Sequence, residues 1–318
     1  MRIVRHHTQV PDEAKGAVVA LGNFDGVHRG HQALILEARR IADEKRVPLA
    51  AVVFEPYPQE YFRPDAEPFR LTSFRAKSSL LKAHGVDFLI VIAFDAEMAA
   101  MVAQDFVTDI LKESLGTSHV VVGRDFRFGK GRGGDSVVLS YMGEMEEFGV
   151  TVFEPVTLTE NVKISSTRIR ELLKQGCPEQ AATLLGHWWS VEGYVAGGDQ
   201  RGRTIGFPTA NLKLEGQLVP AFGIYAVRAR RADGSVHDGV ASFGIRPMYA
   251  LSTPLLEAHL FDFSGSLYGE FLRVDFIAYL RPERKLPDLE ALKAQIEVDS
   301  RQARDILAHA GPAPALDP

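Results

Sequence analysis

One cysteine, Cys177, stands in 318 residues, which excludes an intrachain disulfide and any cysteine-cluster metal site. There is no basic excess either: 36 Lys and Arg face 41 Asp and Glu, for a net charge of −5. The balance is even, with 22 basic and 25 acidic side chains before residue 183 and 14 and 16 after it. Neither half has the charge of a polynucleotide binder, so no nucleic-acid partner is expected. No apolar run approaches the ~20 residues of a membrane span, and "MRIVRHHTQVPDEAKG" lacks the apolar core of a signal peptide. No internal repeat and no low-complexity tract is present. The expectation is a cytoplasmic globular protein, monomeric or weakly homo-oligomeric, with no membrane partner.

What is present divides into two patterns. Up to about residue 182, short runs rich in Val, Ile or Phe ("AVVALG", "LAAVVF", "DFLIVIAF", "SHVVVG", "VTVFEPV") alternate with amphipathic stretches such as 31–46 and 73–85. Continuous apolar runs suit strands buried on both faces. Their alternation with helices predicts an α/β, Rossmann-like parallel sheet with helices on both faces. Beyond that point come strand-like segments separated by turns, among them "DG" at 233–234 and "SGSLYG" at 264–269. They predict a small antiparallel β-barrel or sandwich. Residues 287–311 read as a closing helix. The expected domains are 1–182 and 183–310, with a disordered tail over 311–318.

The stretch "GNFDGVHRGH" follows the first apolar run. Its helix is expected to begin around Val27–Arg29, which puts His28 and His31 on one face of the first turn. A helix N-terminus favours anions, and Gly22, Gly26 and Gly30 let the backbone approach a phosphate. Two imidazole donors suit charge developing on a transferring phosphoryl group. On this fragment alone such a pair is more often surface or capping residues than catalytic, and a metal site lacks a third local ligand. Downstream, "KISSTRIRELL" opens another helix, where Ser165, Ser166 and Thr167 can cap it or contact phosphate and Arg168 and Arg170 add positive charge. In a doubly wound sheet both fragments would face the crevice at the carboxyl edge.

Together "GNFDGVHRGH" and "ISSTRIR" resemble the nucleotidylyltransferase superfamily. "VVFEPYP", "LTSFRAK" and "VVVGRDFRFGKGRGGD" resemble, more narrowly, the FAD synthetase module of the bacterial bifunctional riboflavin kinase/FAD synthetases. The resemblance covers most of residues 15–182. It implies adenylylation of FMN by ATP to FAD and pyrophosphate with Mg²⁺, a reaction that asks the protein for positioning and charge stabilisation. It further implies that His28 and His31 bind ATP phosphates and that Gly22, Asn23, Phe24, Asp25 and Gly30 shape the binding turn. Asp125 would lie near nucleotide and metal, and Lys163, Ser166, Thr167 and Arg170 near ATP. Phe54, Phe126 and Phe128 would line a flavin pocket, with core packing an equal reading for Phe54.

In the second half "GGDQRGRTIGFPTANLKL" is too polar and Gly-rich for a strand. Thr209 and Asn211, two apart, share a face if extended, and their oxygens suit Mg²⁺ or phosphate. A flexible loop is the plainer reading. In "LLEAHLFDF", alternation sets Glu257 on one face with His259, Phe261 and Phe263, as an edge-strand charge or a general base. These segments, with "GIYAVR" and "LRPERKLPDLEALKAQI", resemble the riboflavin kinase module over about 184–305. The resemblance implies a six-stranded barrel that phosphorylates riboflavin to FMN, with Arg201, Gly206 and Pro208 at the nucleotide, Thr209 and Asn211 holding Mg²⁺–ATP, and Glu257 as base. Substrates would be ATP, riboflavin and FMN. The chain departs from the family pattern at Ser242 and Met248, in "SFGIRPM", and at Leu286. Alternatives are an adenylyltransferase with a degraded kinase half, or a flavin-binding storage or regulatory module.

Overall fold

The computed structural model describes residues 1–157, 163–197, 206–214, 216–245 and 254–312. Two compact units form: Met1–Glu67 with Phe74–Ile164, and Pro68–Ser73 with the chain from Ser165 onward.

In the first unit the apolar runs become parallel strands: β1 (Arg2–Val4), β2 (Val18–Leu21), β3 (Leu49–Glu55), β4 (Phe88–Ala93), β5 (His119–Gly123) and β8 (Gly149–Phe153). Their order is β1-β4-β3-β2-β5-β8. A two-stranded ribbon, β6 (Arg127–Phe128) and β7 (Gly134–Asp135), lies between β5 and β8 in the chain. Alternate residues serve opposite faces. Val18 and Ala20 pack with Leu34, Ile35 and Ile41 of α1 (Arg29–Lys45). Val19 and Leu21 pack on the other side with Phe106, Val107 and Ile110, from a π-helix over Phe106–Ser114. Sheet strands buried on both faces need no polar alternation. The expected first strand is thus central, and the edge is taken by β1, three residues too short to stand out in the sequence.

The other helices of this unit are α2 (Pro58–Phe62), α3 (Phe74–Ala83), α4 (Ala96–Ala100), α5 (Ala103–Asp105) and α6 (Ser136–Met145).

The second unit starts with α7 (Ser166–Lys174) and α8 (Pro178–Leu185). Six antiparallel strands follow among the described residues: β9 (Ser190–Tyr194), β10 (Ala210–Lys213), β11 (Gly223–Arg231), β12 (Val236–Gly244), β13 (Leu255–Leu260) and β14 (Phe271–Arg281). Their order is β10-β13-β12-β11-β14-β9. A bridge between Ala196 and Asn211 nearly closes the barrel. α9 (Leu289–His309) packs Ala303 and Leu307 onto Ala226, Val240 and Ile277.

Two expectations need correction. The end of the polar segment is a strand, β10, because Ala210 and Leu212 are buried in the barrel. β13 ends at Leu260, so Phe261 and Phe263 do not continue the Glu257 face; the chain turns at Asp262, with φ of +55°. Phe261 is buried under α9 instead. The compact units divide between Ile164 and Ser165. α7 and α8 belong with the barrel, where the Leu173 carbonyl accepts from the Ala221 N–H (3.0 Å). The segment Pro68–Ser73 joins them. The Leu71 carbonyl accepts from the buried Trp189 indole (2.8 Å), and the Arg70 carbonyl from the Leu218 N–H (2.8 Å). Residues 313–318 of the expected tail lie outside the described residues.

Candidate active sites

Strand order reverses at β2, which pairs with β3 on one side and β5 on the other. The carboxyl ends of β2 and β5 flank this switch point, where open α/β sheets bind ligands. From β2 the chain runs through Gly22 and the exposed Asn23 into a tight turn. Phe24, Gly26 and Val27 all have positive φ there (49°, 81° and 39°). For a β-branched residue this is costly, of order 1–3 kcal/mol. It persists because the Phe24 and Val27 side chains are buried in the core under α1.

The turn delivers His28 to the N-cap of α1, where its Nδ1 accepts from the His31 N–H (3.3 Å). The proton of a neutral His28 therefore sits on Nε2. The two imidazoles stack, centroids 3.6 Å apart and 12° from parallel, with the edge of Phe24 against His31. A Cβ on Gly30 would stand 3.2 Å from the His28 ring, so glycine makes room for the stack. His31 Nδ1 is buried with no hydrogen-bond partner among the described residues. Burial, then His28 and then the Lys77 charge hold the His31 imidazole well below its usual pKa, so it is neutral at neutral pH.

Under the turn lies a cluster the sequence reading did not single out. Asp25 is buried and accepts from the Tyr57 hydroxyl (3.4 Å); that hydroxyl accepts from Lys77 Nζ (3.2 Å), which also bonds Glu55 Oε1 (2.8 Å). Lys77 is wholly buried. The quoted stretches "VVFEPYP" and "LTSFRAK" contained these residues, but a lysine in an amphipathic helix reads as a solvated one.

Beyond β5, Asp125 is exposed and paired with Lys163 (Nζ–Oδ2 3.1 Å). Phe128 is buried against Phe106 and stacks with Phe126, centroids 5.6 Å apart, and Phe54 packs on Phe94 and Phe106. Phe128 and Phe54 are therefore core residues, with Phe126 packed on the same cluster.

In the second unit Ser165 caps α7, accepting from the Arg168 N–H (3.3 Å), and Ser166 and Thr167 form its first turn. Arg170 donates to the Phe69 carbonyl (2.8 Å) and lies over the Phe69 ring. On the barrel, Asn211 of β10 stands directly opposite Glu257 of β13, and Ser242 of β12 flanks Glu257 on the other side. Cross-strand partners share a face, so these three form one polar row. Asn211 is buried, and its Oδ1 has no hydrogen-bond partner among the described residues. Thr209 and Pro208 precede it. His259 Nδ1 donates to the Pro208 carbonyl (2.9 Å), fixing this segment to β13. Gly206 takes φ of +90° at the start of the segment. Ser242, at the first departure, donates to Glu283 Oε1 (3.2 Å). Arg201 and Met248 lie outside the described residues.

The family profile for FAD synthetase matches residues 10–168, and that for riboflavin kinase residues 185–307. A bifunctional riboflavin kinase/FMN adenylyltransferase of Escherichia coli K12 is 40% identical over 314 residues, covering 98% of this chain and 99% of that protein. The chain belongs to the bifunctional riboflavin kinase/FMN adenylyltransferase family. The Bacillus subtilis protein of the same description is 36% identical over 309 residues, covering 95% of this chain and 96% of its own length. A crystal structure described as a macrolide-efflux protein from Streptococcus pneumoniae superposes with a TM-score of 0.86 at 28% identity, over 96% of this chain and 99% of that one. Among the described residues no helix is long and apolar enough to cross a membrane.

Proposed function

We propose that the two units carry the two activities at separate sites: the barrel phosphorylates riboflavin to FMN, and the parallel-sheet unit adenylylates FMN to FAD. The family supports the pair of activities and their order in the chain. One observation carries the site assignment: two stacked histidines at the switch point of the parallel sheet, with His31 neutral and its Nδ1 buried and without a hydrogen-bond partner among the described residues.

In adenylyl transfer a phosphate oxygen of FMN attacks the α-phosphorus of ATP. The bond to the β-phosphate oxygen breaks, and pyrophosphate leaves. The neutral His31 imidazole offers an N–H donor to the phosphate oxygens without itself carrying a charge, and His28 stacks beside it. The α1 N-terminus adds the positive end of its dipole. Lys163 and Asp125 provide charge beyond β5. The assignment of Ser166, Thr167 and Arg170 to the ATP site rests on the family signature alone.

In the kinase reaction the ribityl 5′-hydroxyl attacks the γ-phosphorus, and ADP leaves. Glu257 takes the hydroxyl proton as the new O–P bond forms. The donor set beside it fits Mg²⁺: Asn211 Oδ1 is a buried hard oxygen lacking a partner, and the Thr209 hydroxyl is two residues away. Bound there, the cation would neutralise charge on the triphosphate. In the first unit Asp125 supplies one carboxylate, which suits a cation held chiefly by phosphates.

The test supplies riboflavin or FMN, with ATP and Mg²⁺, to the full chain and resolves the flavins by chromatography. His31→Ala should stop FAD formation and leave FMN formation within about twofold of the parent; Glu257→Ala should do the reverse. Loss of both activities in a folded His31→Ala protein would refute the two-site assignment. FAD only from supplied FMN would mean a degraded kinase half, and no turnover would leave a binding module.

A further inference from the structure

The buried lysine beneath the histidine turn is unused by the reaction as described above. Lys77 comes from α3, Glu55 from the end of β3, Tyr57 from the loop after it, and Asp25 from the turn between β2 and α1. The contacts run in one line: Glu55 Oε1 to Lys77 Nζ, Lys77 Nζ to the Tyr57 hydroxyl, and the Tyr57 hydroxyl to Asp25 Oδ1. Asp25 is three residues from His28, within the run where Phe24, Gly26 and Val27 are held at positive φ. A buried ion pair contributes little net stability compared with apolar residues of the same volume. Four polar side chains pinning a strained turn fit the upkeep of a particular geometry better than they fit core packing.

We propose that Lys77 is a positioning residue for adenylyl transfer: through Tyr57 and Asp25 it holds the turn that stacks His28 on His31. Being wholly buried, the ammonium does not touch substrate. It acts in two ways. Its hydrogen bond orients the Tyr57 hydroxyl so that the phenol proton points to Asp25. Its charge also opposes a second positive charge on His31, on which burial, His28 and Lys77 all act in the same direction. Asp25 and Glu55 are the acidic groups of the cluster. Arg29, on the first turn of α1, is a further buried cation beside the pair. The inference rests on the assignment of the histidines to adenylyl transfer.

The experiment compares Lys77→Met with the parent, using riboflavin phosphorylation by the same molecules as an internal control of folding. FAD formation should fall at least tenfold, chiefly in kcat, with the control within about twofold. The pH profile carries the distinction from mere loss of structure. Without the Lys77 charge His31 is easier to protonate, so the acid limb of FAD formation should move to higher pH. Lys77→Arg should restore most of the position of that limb. Lys77→Met removes the Lys77–Glu55 ion pair; Lys77→Met with Glu55→Gln removes both charges and should show the same displaced limb in a stable protein. An acid limb that does not move, or a kcat within twofold of the parent, overturns the proposal. If His31→Ala leaves FAD formation intact, the histidine assignment fails; if His31→Ala abolishes it while Lys77→Met does not, the Lys77 inference fails alone.

Discussion

His31 is folded as a neutral imidazole, its proton affinity lowered first by burial and then by His28 and Lys77. The unfolded chain binds that proton with the ordinary pKa of about 6.5. Its contribution to stability is therefore complete above that value. As pH falls through about 6.5 toward the depressed folded value, the unfolded state binds more protons and stability drops, by up to about 1.4 kcal/mol per pH unit for one site. Denaturant unfolding of the first unit followed between pH 7.5 and 5 should show this slope, and His31→Asn should flatten it. A slope unchanged by the substitution would mean that His31 is not the group responsible. At this scale the sequence was informative where chemistry is local. Two histidines, Thr209, Asn211 and Glu257 stand out by type and spacing. Lys77 does not, because the sequence of an amphipathic helix cannot show which lysine is paired with a carboxylate from another strand. The packing of Phe128 was hidden for the converse reason: an aromatic in a polar, glycine-rich stretch shows no sign of the Phe106 ring it packs on.

At the scale of elements, α1 joins folding to chemistry through one side chain. His28 is both its N-cap and half of the stacked pair. Asn is among the preferred N-cap residues and His is not. His28→Asn should therefore keep the first unit within about 1 kcal/mol of the parent, while FAD formation is lost and FMN formation is spared. Thermal melting with the product assay separates the roles; a variant that melts much lower would show that stacking, and not capping, secures the helix start. Elements were legible in the sequence in proportion to how far burial alone decides them. The Val-rich strands β2, β3 and β5 are buried on both faces and declare themselves. α9 announces itself by helical periodicity and by Asp288, which caps it. β10 was hidden because a polar, Gly-rich sequence runs straight into it, and β1 because three residues carry no period.

At the scale of the molecule, a sequence boundary and a folding boundary fall in different places. A fragment 183–310, cut where the residue pattern changes, would lack α7, α8 and Pro68–Ser73. It would leave the fully buried Trp189 without the Leu71 carbonyl its indole bonds. Losing a buried hydrogen-bond partner alone costs about 1–3 kcal/mol. Both tryptophans of the chain, Trp188 and Trp189, are in this fragment. Its fluorescence should be red-shifted and its urea midpoint lower than that of the same unit in the full chain. Equal midpoints would mean that the barrel needs none of these pieces. The excursion of six residues was not visible in the sequence, since nothing in "PFRLTS" distinguishes it from an ordinary connection.

That excursion also sets a schedule. Residues 68–73 leave the ribosome more than a hundred residues before Trp189 and Leu218, the groups that receive them. At roughly 5–20 residues per second, the wait is on the order of ten seconds. For that interval the parallel sheet must fold around a loop whose own partners do not yet exist. The second unit can close only on a segment made long before the rest of it, so its own first piece must wait for the barrel that receives it.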